Sequence, residues 1–160
     1  MHVNALTAGV LDDVIFVADQ GKQAIFMSSQ STSERTLVSL PFQIITNPYG
    51  IVFNPLDDRI YWTDSTRGVV VRSSIDGKNQ EDINWNLVRP LGIALDFVGG
   101  NVYWISSGGH TIEVSKLNGD YWKVLVCNLQ SYARNITLDT KRGYVCSFGV
   151  LDYSSYQNCL

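Results

Sequence analysis

The sequence predicts an all-β protein assembled from repeated units of four short strands, and three observations carry that prediction. First, an anchor recurs at a steady interval. Phe16-Val17-Ala18-Asp19, Tyr61-Trp62-Thr63-Asp64, Tyr103-Trp104-Ile105-Ser106 and Cys146-Ser147-Phe148-Gly149 begin 45, 42 and 43 residues apart. Second, the flanks repeat in the same register. Leu11-Asp12-Asp13-Val14-Ile15-Phe16 matches Leu56-Asp57-Asp58-Arg59-Ile60-Tyr61. Gly50-Ile51-Val52-Phe53-Asn54 returns as Gly92-Ile93-Ala94-Leu95-Asp96 and as Asn135-Ile136-Thr137-Leu138-Asp139. Third, Gly, Asn and Asp punctuate the chain too often for a helix to form, and no stretch shows convincing helical periodicity. A period in the low forties with four β runs is that of a β-propeller blade.

Each period reads as strand, turn, strand, loop, strand, turn, strand. In the third copy Gly92 to Asp96 is the first strand, and Gly99-Gly100 is expected as a two-residue turn tolerant of positive φ. Asn101 to Ile105 is the second strand, Ser106 to His110 a loop, and Thr111 to Leu117 the third strand. Asn118-Gly119 signals a type I′ turn, and Trp122 to Cys127 is the fourth strand. The blades fall at about residues 3–40, 50–84, 92–127 and 135–160, the last incomplete, with boundaries near 40–49, 85–91 and 128–134.

Composition agrees. The 160 residues give room for one ordinary domain with a core. Charged residues are 17%, a low share that suits a β-rich chain, and the net charge of −3 argues against nucleic acid, which calls for a basic stripe. No apolar run is long enough to insert in a membrane, and no secretory leader is visible at Met1-His2-Val3-Asn4. Cys127, Cys146 and Cys159 are widely spaced and contain no C-x-x-C pair, which disfavours zinc. Cys127 and Cys146 read as small hydrophobes in strands and Cys159 as a loose thiol.

Tyr61-Trp62-Thr63-Asp64, followed by a third strand and a D-G or N-G turn, resembles the class B (YWTD) repeat of the low-density lipoprotein receptor family. The stretch from Asn101-Val102-Tyr103-Trp104 through Thr111 to Gly119 and on to Lys123-Val124-Leu125-Val126 is similar to the receptor-related proteins, in their Wnt co-receptor and large endocytic branches. The resemblance covers nearly the whole chain. It implies a partial YWTD-type propeller, about three and a half four-stranded blades of a six-bladed ring. It further implies a non-enzymatic ectodomain of a single-pass membrane receptor, extracellular and without cofactors. The implied partners are a secreted protein or peptide ligand, the remaining blades, and EGF-like modules. A structural or adhesive propeller of the basement-membrane, nidogen-like type is the alternative, and a degenerate fragment without independent function is a third. The motif drifts: Ile105-Ser106 replaces Thr-Asp, and the fourth copy has lost both rings.

The best-matched residues read as scaffold. Tyr61 and Trp62, like Tyr103 and Trp104, are adjacent on a strand and so face opposite sides, available to pack different neighbours. Thr63, Asp64 and Asp19 stand at strand ends, where their oxygens can satisfy backbone donors. A ligand face is expected instead on the connections between blades and between second and third strands. There Lys22, Arg67, Arg89, His110 and Arg134 accompany Phe42, Tyr49, Trp85 and Tyr132, with no acid between the strand ends. Aromatics with arginines are hot-spot types, and the cations predict an acidic partner. In the resembling receptors this is also the usual ligand face. Asp12, Asp13, Glu34, Asp57, Asp58, Asp76, Glu81, Asp82 and Asp120 are expected on the opposite, hairpin face.

An enzyme reading fails on inventory. His2 and His110 are the two histidines, and neither has a nucleophile and an acid placed around it. The Asp pairs repeat at the blade period, which marks turn chemistry. Asn135-Ile136-Thr137 is a glycosylation sequon, but it opens an innermost strand, where a glycan is not expected to fit.

Overall fold

The computed structural model describes residues 3–8, 14–30, 35–129, 133–151 and 154–159, and every regular element among them is a strand. Four antiparallel sheets follow one another along the chain. The first holds β1 (Val3–Ala8), β2 (Ile15–Asp19), β3 (Ala24–Gln30) and β4 (Arg35–Ser39). The second holds β5 (Pro48–Asn54), β6 (Arg59–Asp64), β7 (Val69–Ser74) and β8 (Glu81–Asn84). The third holds β9 (Pro90–Asp96), β10 (Asn101–Ser106), β11 (Thr111–Lys116) and β12 (Lys123–Val126). The fourth has β13 (Ala133–Asp139), β14 (Tyr144–Leu151) and β15 (Ser154–Cys159). Each strand pairs with its sequence neighbour, and the first strands β1, β5, β9 and β13 succeed one another as neighbours along the inner side of the arc. These are the blades of a propeller.

A blade lies between two others, so its middle strands bury both faces. That is why Ile60-Tyr61-Trp62-Thr63-Asp64 and Val69-Val70-Val71 are buried without interruption, where a one-sided sheet would alternate. The outermost strand β12 is largely exposed. Three apolar clusters fill the spaces between blades. Trp62 joins Phe16, Ile25, Phe53 and Val71 between the first and second blades, and Phe42 stacks on its indole with ring centroids 4.9 Å apart. Tyr61 turns the other way and joins Ile93, Val102 and Trp104 between the second and third. Ile105, Ile112 and Ile136, with Tyr103 packed against them, fill the next interface. Adjacent rings on one strand therefore glue one blade to both of its neighbours.

Two turns differ from expectation. Phe97 to Gly100 forms a four-residue loop between Asp96 and Asn101, because the Asp96 carboxylate accepts the Gly99 amide at 2.9 Å. Only the second glycine uses positive φ, at 66°. Asn118-Gly119 is part of a six-residue connection, not a two-residue turn. The Asn118 side-chain Oδ1 accepts the Asp120 amide, and left-handed φ falls on Gly119 and Tyr121. A Cβ on Gly119 would stand 2.1 Å from the Ile83 carbonyl, so this glycine permits contact with the preceding blade.

The cysteines also depart from expectation. Cys146 is disulfide-bonded and stands opposite Cys159 in the β14–β15 register, while Cys127 is a free, exposed thiol. Asn135 is exposed on β13, along the inner wall of the arc.

Candidate functional site

At the end of β6 the anchor binds backbone. Asp64 is fully buried, and its carboxylate accepts the Thr46 amide and Thr46 hydroxyl at 2.7 Å each, with the Asn47, Thr66 and Arg67 amides at 3.1–3.2 Å. Burial pushes its pKa up, but these donors outweigh burial and hold the carboxyl below the usual range. The Thr63 hydroxyl accepts the Gly50 amide at 2.9 Å and donates to the Leu91 carbonyl, tying β5 to β9. Gly50 is needed there, since a Cβ would lie 2.6 Å from the Leu91 oxygen. Tyr61 donates to the Asp57 carboxylate at 3.2 Å, and burial, then the Asp57 charge, raises its pKa.

The corresponding positions in other blades are less well served. Ser106 replaces the carboxylate of Asp64, and its buried Oγ has no partner among the described residues. In Asp19 one oxygen accepts the Lys22 amide at 3.1 Å, and the other is buried without a described partner. Trp62 and Trp104 bury their indole N–H groups at equivalent sites, without a partner among the described residues.

The connection face is assembled from the segments that link blades and from the loops joining second to third strands. Trp85 stands there 65% exposed beside exposed Val88 and Arg89. Arg89 adopts φ of 56°, and its carbonyl accepts both the Ser107 amide and hydroxyl at 3.1 Å. His110 is exposed at φ 52°, where the preceding blade has Gly68, and its carbonyl accepts the Leu129 amide at 2.9 Å. Arg134 is exposed in β13 and Tyr49 is half-buried in β5. Lys22 lies over the Phe26 ring at 5.1 Å. Tyr132, Asp12, Asp13 and Glu34 lie outside the described residues.

The expected separation of charge by face needs correction. Arg67 is mostly covered, and one guanidinium nitrogen meets the Asp82 carboxylate at 2.6 Å while another donates to the Ile44 carbonyl at 3.2 Å. Asp82, expected on the hairpin face, is instead carried along β8 toward the connection end by its pairing with Val71. Sequence reasoning also passed over Glu113, whose carboxylate is buried on this side of the third blade. The signal was available: Glu113 occupies the repeat position of buried Val71. On the hairpin side, Asp57 accepts the Arg59 amide and Asp58 takes φ of 53°, as turn residues do.

Along the inner side of the arc, β5, β9 and β13 line a concavity of about 540 Å³. Its wall is made by residues such as Ile51, Ile93, Asn135, Ile136 and Thr137, and none of the lining side chains carries a titratable group.

No family model matches the chain. It is 35% identical over 89 residues to low-density lipoprotein receptor-related protein 5 of Mus musculus, covering 54% of this chain and 6% of that protein. It is 33% identical over 98 residues to nidogen-2 of the same organism, covering 60% of this chain and 7% of that protein. The chain thus spans less than a tenth of either curated relative. Among solved structures, a chain of a nidogen/laminin complex superposes with a TM-score of 0.84 at 25% identity, over 99% of this chain and 60% of that one. A gluconolactonase from Xanthomonas campestris has a TM-score of 0.76 at 15% identity, over 92% of this chain and 56% of that one, a likeness of fold alone. With its anchors packed between blades and its Asp64 clasp on the preceding connection, the chain has the fold and the repeat of an LDL-receptor class B (YWTD) β-propeller.

Proposed function

We propose that the chain is the protein-binding part of an extracellular, non-enzymatic propeller, and that its connection face takes a secreted protein or peptide ligand. The observation that carries this reading is Trp85. A large indole held 65% exposed on the connection face, beside Val88 and Arg89, is out of place on an inert surface and typical of a binding centre. Among the described residues the inner wall offers no titratable group to a substrate, which supports binding over catalysis although propellers of this shape include a lactonase. The disulfide at Cys146 suits an oxidising compartment.

Two settings fit. A receptor ectodomain, endocytic or of Wnt co-receptor type and single-pass in the membrane, draws on the likeness to receptor-related protein 5. A matrix role draws on nidogen-2 and on the nidogen/laminin structure. In either setting the propeller would hold a protein. Surface plasmon resonance on the 160-residue chain, with purified laminin as the first probe and secreted receptor ligands next, tests the shared reading. Trp85→Ala and Arg89→Glu should each weaken binding, the latter most at low salt. Binding unaffected by both but abolished by reversing Asp57 and Asp58 would move the ligand to the hairpin face.

A further inference from the structure

The second and third blades treat the same cleft in opposite ways. In the second blade the cleft is closed from within. Gln43 and Gln80 exchange hydrogen bonds, the Gln43 amide donating at 2.8 Å and the Gln80 side chain donating to the Gln43 carbonyl. Arg67 fills the space below, bound to the Asp82 carboxylate and the Ile44 carbonyl. One repeat later, 42 residues on, Trp85 and Trp122 stand for the two glutamines, Gly109 for Arg67, and Val124 for Asp82. The acid has not vanished but crossed the ladder. Val71 pairs with Asp82 in the second blade, and Glu113 pairs with Val124 in the third.

The outcome is an open pocket of about 410 Å³ bounded by Trp85, Asn86, Gly109, Glu113 and Trp122 among others. Glu113 is only 6% exposed. Its two oxygens accept the Thr111 hydroxyl and the Trp122 indole N–H, each at 2.8 Å. Both donors are neutral, and no ion pair to Glu113 occurs among the described residues. A carboxylate out of water with no cation is unfavourable unless something supplies the charge. Each oxygen keeps acceptor capacity. Asn86 occupies the repeat position of Ile44 with the same left-handed backbone, φ 59° against 52°. Two partly exposed indoles, at 65% and 52%, add faces that attract a cation.

We propose that this pocket binds an arginine side chain of a protein or peptide partner, which takes in trans the place that Arg67 fills in cis one blade earlier. The guanidinium pairs with Glu113 and lies between Trp85 and Trp122. This deepens the protein-binding reading and rests on it for the source of the arginine. It also gives the connection face an acidic recess, where the sequence alone predicts cations only.

The test is a titration of the ¹⁵N-labelled 160-residue chain with N-acetyl-arginine amide, read at the indole N–H resonances of Trp85 and Trp122. N-acetyl-citrulline amide, the same shape without the charge, is the control. The arginine probe should shift both indole signals saturably and citrulline should not. Glu113→Gln should weaken the response about tenfold or more, as expected for loss of a charge-assisted contact. Gly109→Arg gives an independent variant, since a Cβ there meets nothing nearer than 3.4 Å and the new side chain should occupy the pocket itself. Equal binding of citrulline, or an undiminished arginine response in Gly109→Arg, overturns the proposal. No arginine response in the unsubstituted chain, with protein-ligand binding by the connection face intact, overturns the pocket and leaves the broader reading standing.

Discussion

Replacing Asp64 by Ala removes the one acceptor shared by five donors: the Thr46 amide and hydroxyl, and the amides of Asn47, Thr66 and Arg67. A hydrogen bond to a charged group contributes about 1.5–3 kcal/mol, and a donor left unpaired in a buried place costs about 1–3 kcal/mol. Thr46, Asn47 and Thr66 are partly solvated, so water recovers some of the loss. About 3 kcal/mol is then a fair expectation. The third blade supplies the control. Ser106 holds the same position and its Oγ has no described partner, so Ser106→Ala should change stability by less than about 1 kcal/mol. With a urea slope of about 2 kcal/mol/M, Asp64→Ala should lower the midpoint by roughly 1.5 M and Ser106→Ala by under about 0.5 M.

Acid adds a second check. The folded carboxyl titrates below its unfolded value, so the unfolded chain binds protons first as pH falls. The Asp64 contribution is complete above the unfolded pKa of about 3.9 and fades as pH drops through the lower folded value. The gap between wild type and Asp64→Ala should therefore narrow from neutral pH to about pH 3. Equal midpoint shifts for the two variants, or a gap independent of pH, would refute the clasp.

Trp62→Ala should destabilise the chain by about 3–5 kcal/mol in chemical denaturation and Trp85→Ala by no more than about 0.5, since one ring is wholly buried and the other mostly exposed. Gly119→Ala should lower the thermal midpoint more than Gly143→Ala. Both have positive φ, but only at Gly119 would the new Cβ strike a neighbouring blade. Maleimide labelling of the native, unreduced chain should modify Cys127, while Cys146 should become reactive only after reduction, as peptide mass mapping will report.

Much of this architecture was written in one dimension. The recurrence of anchors at Phe16, Tyr61, Tyr103 and Cys146, with Gly50 and Gly92 in register before them, is enough to define blades, their order and their strands. Strand pairing in a propeller is local, each strand with the next, so a repeat seen in sequence is a repeat in space. Opposite facing of Tyr61 and Trp62 follows from the pleat, and the scaffold role follows from that.

What tertiary structure alone decided is which groups meet across blades and at strand ends. Position in the repeat puts Arg67 on a connection face with cations and no acid between the strand ends. The Val71–Asp82 register places a carboxylate against that guanidinium instead. The exposure of Trp85 against the partial burial of Phe42, two aromatics from equivalent connections, depends on whether a neighbouring indole is within reach. The pocket at Glu113 arises from a glycine and a relocated acid whose consequences appear only once strands are paired. Local pattern determines elements because backbone hydrogen bonding and burial act over a few residues. Charge neutralisation and open volume depend on distances between side chains far apart in sequence, and those exist only in the packed arc.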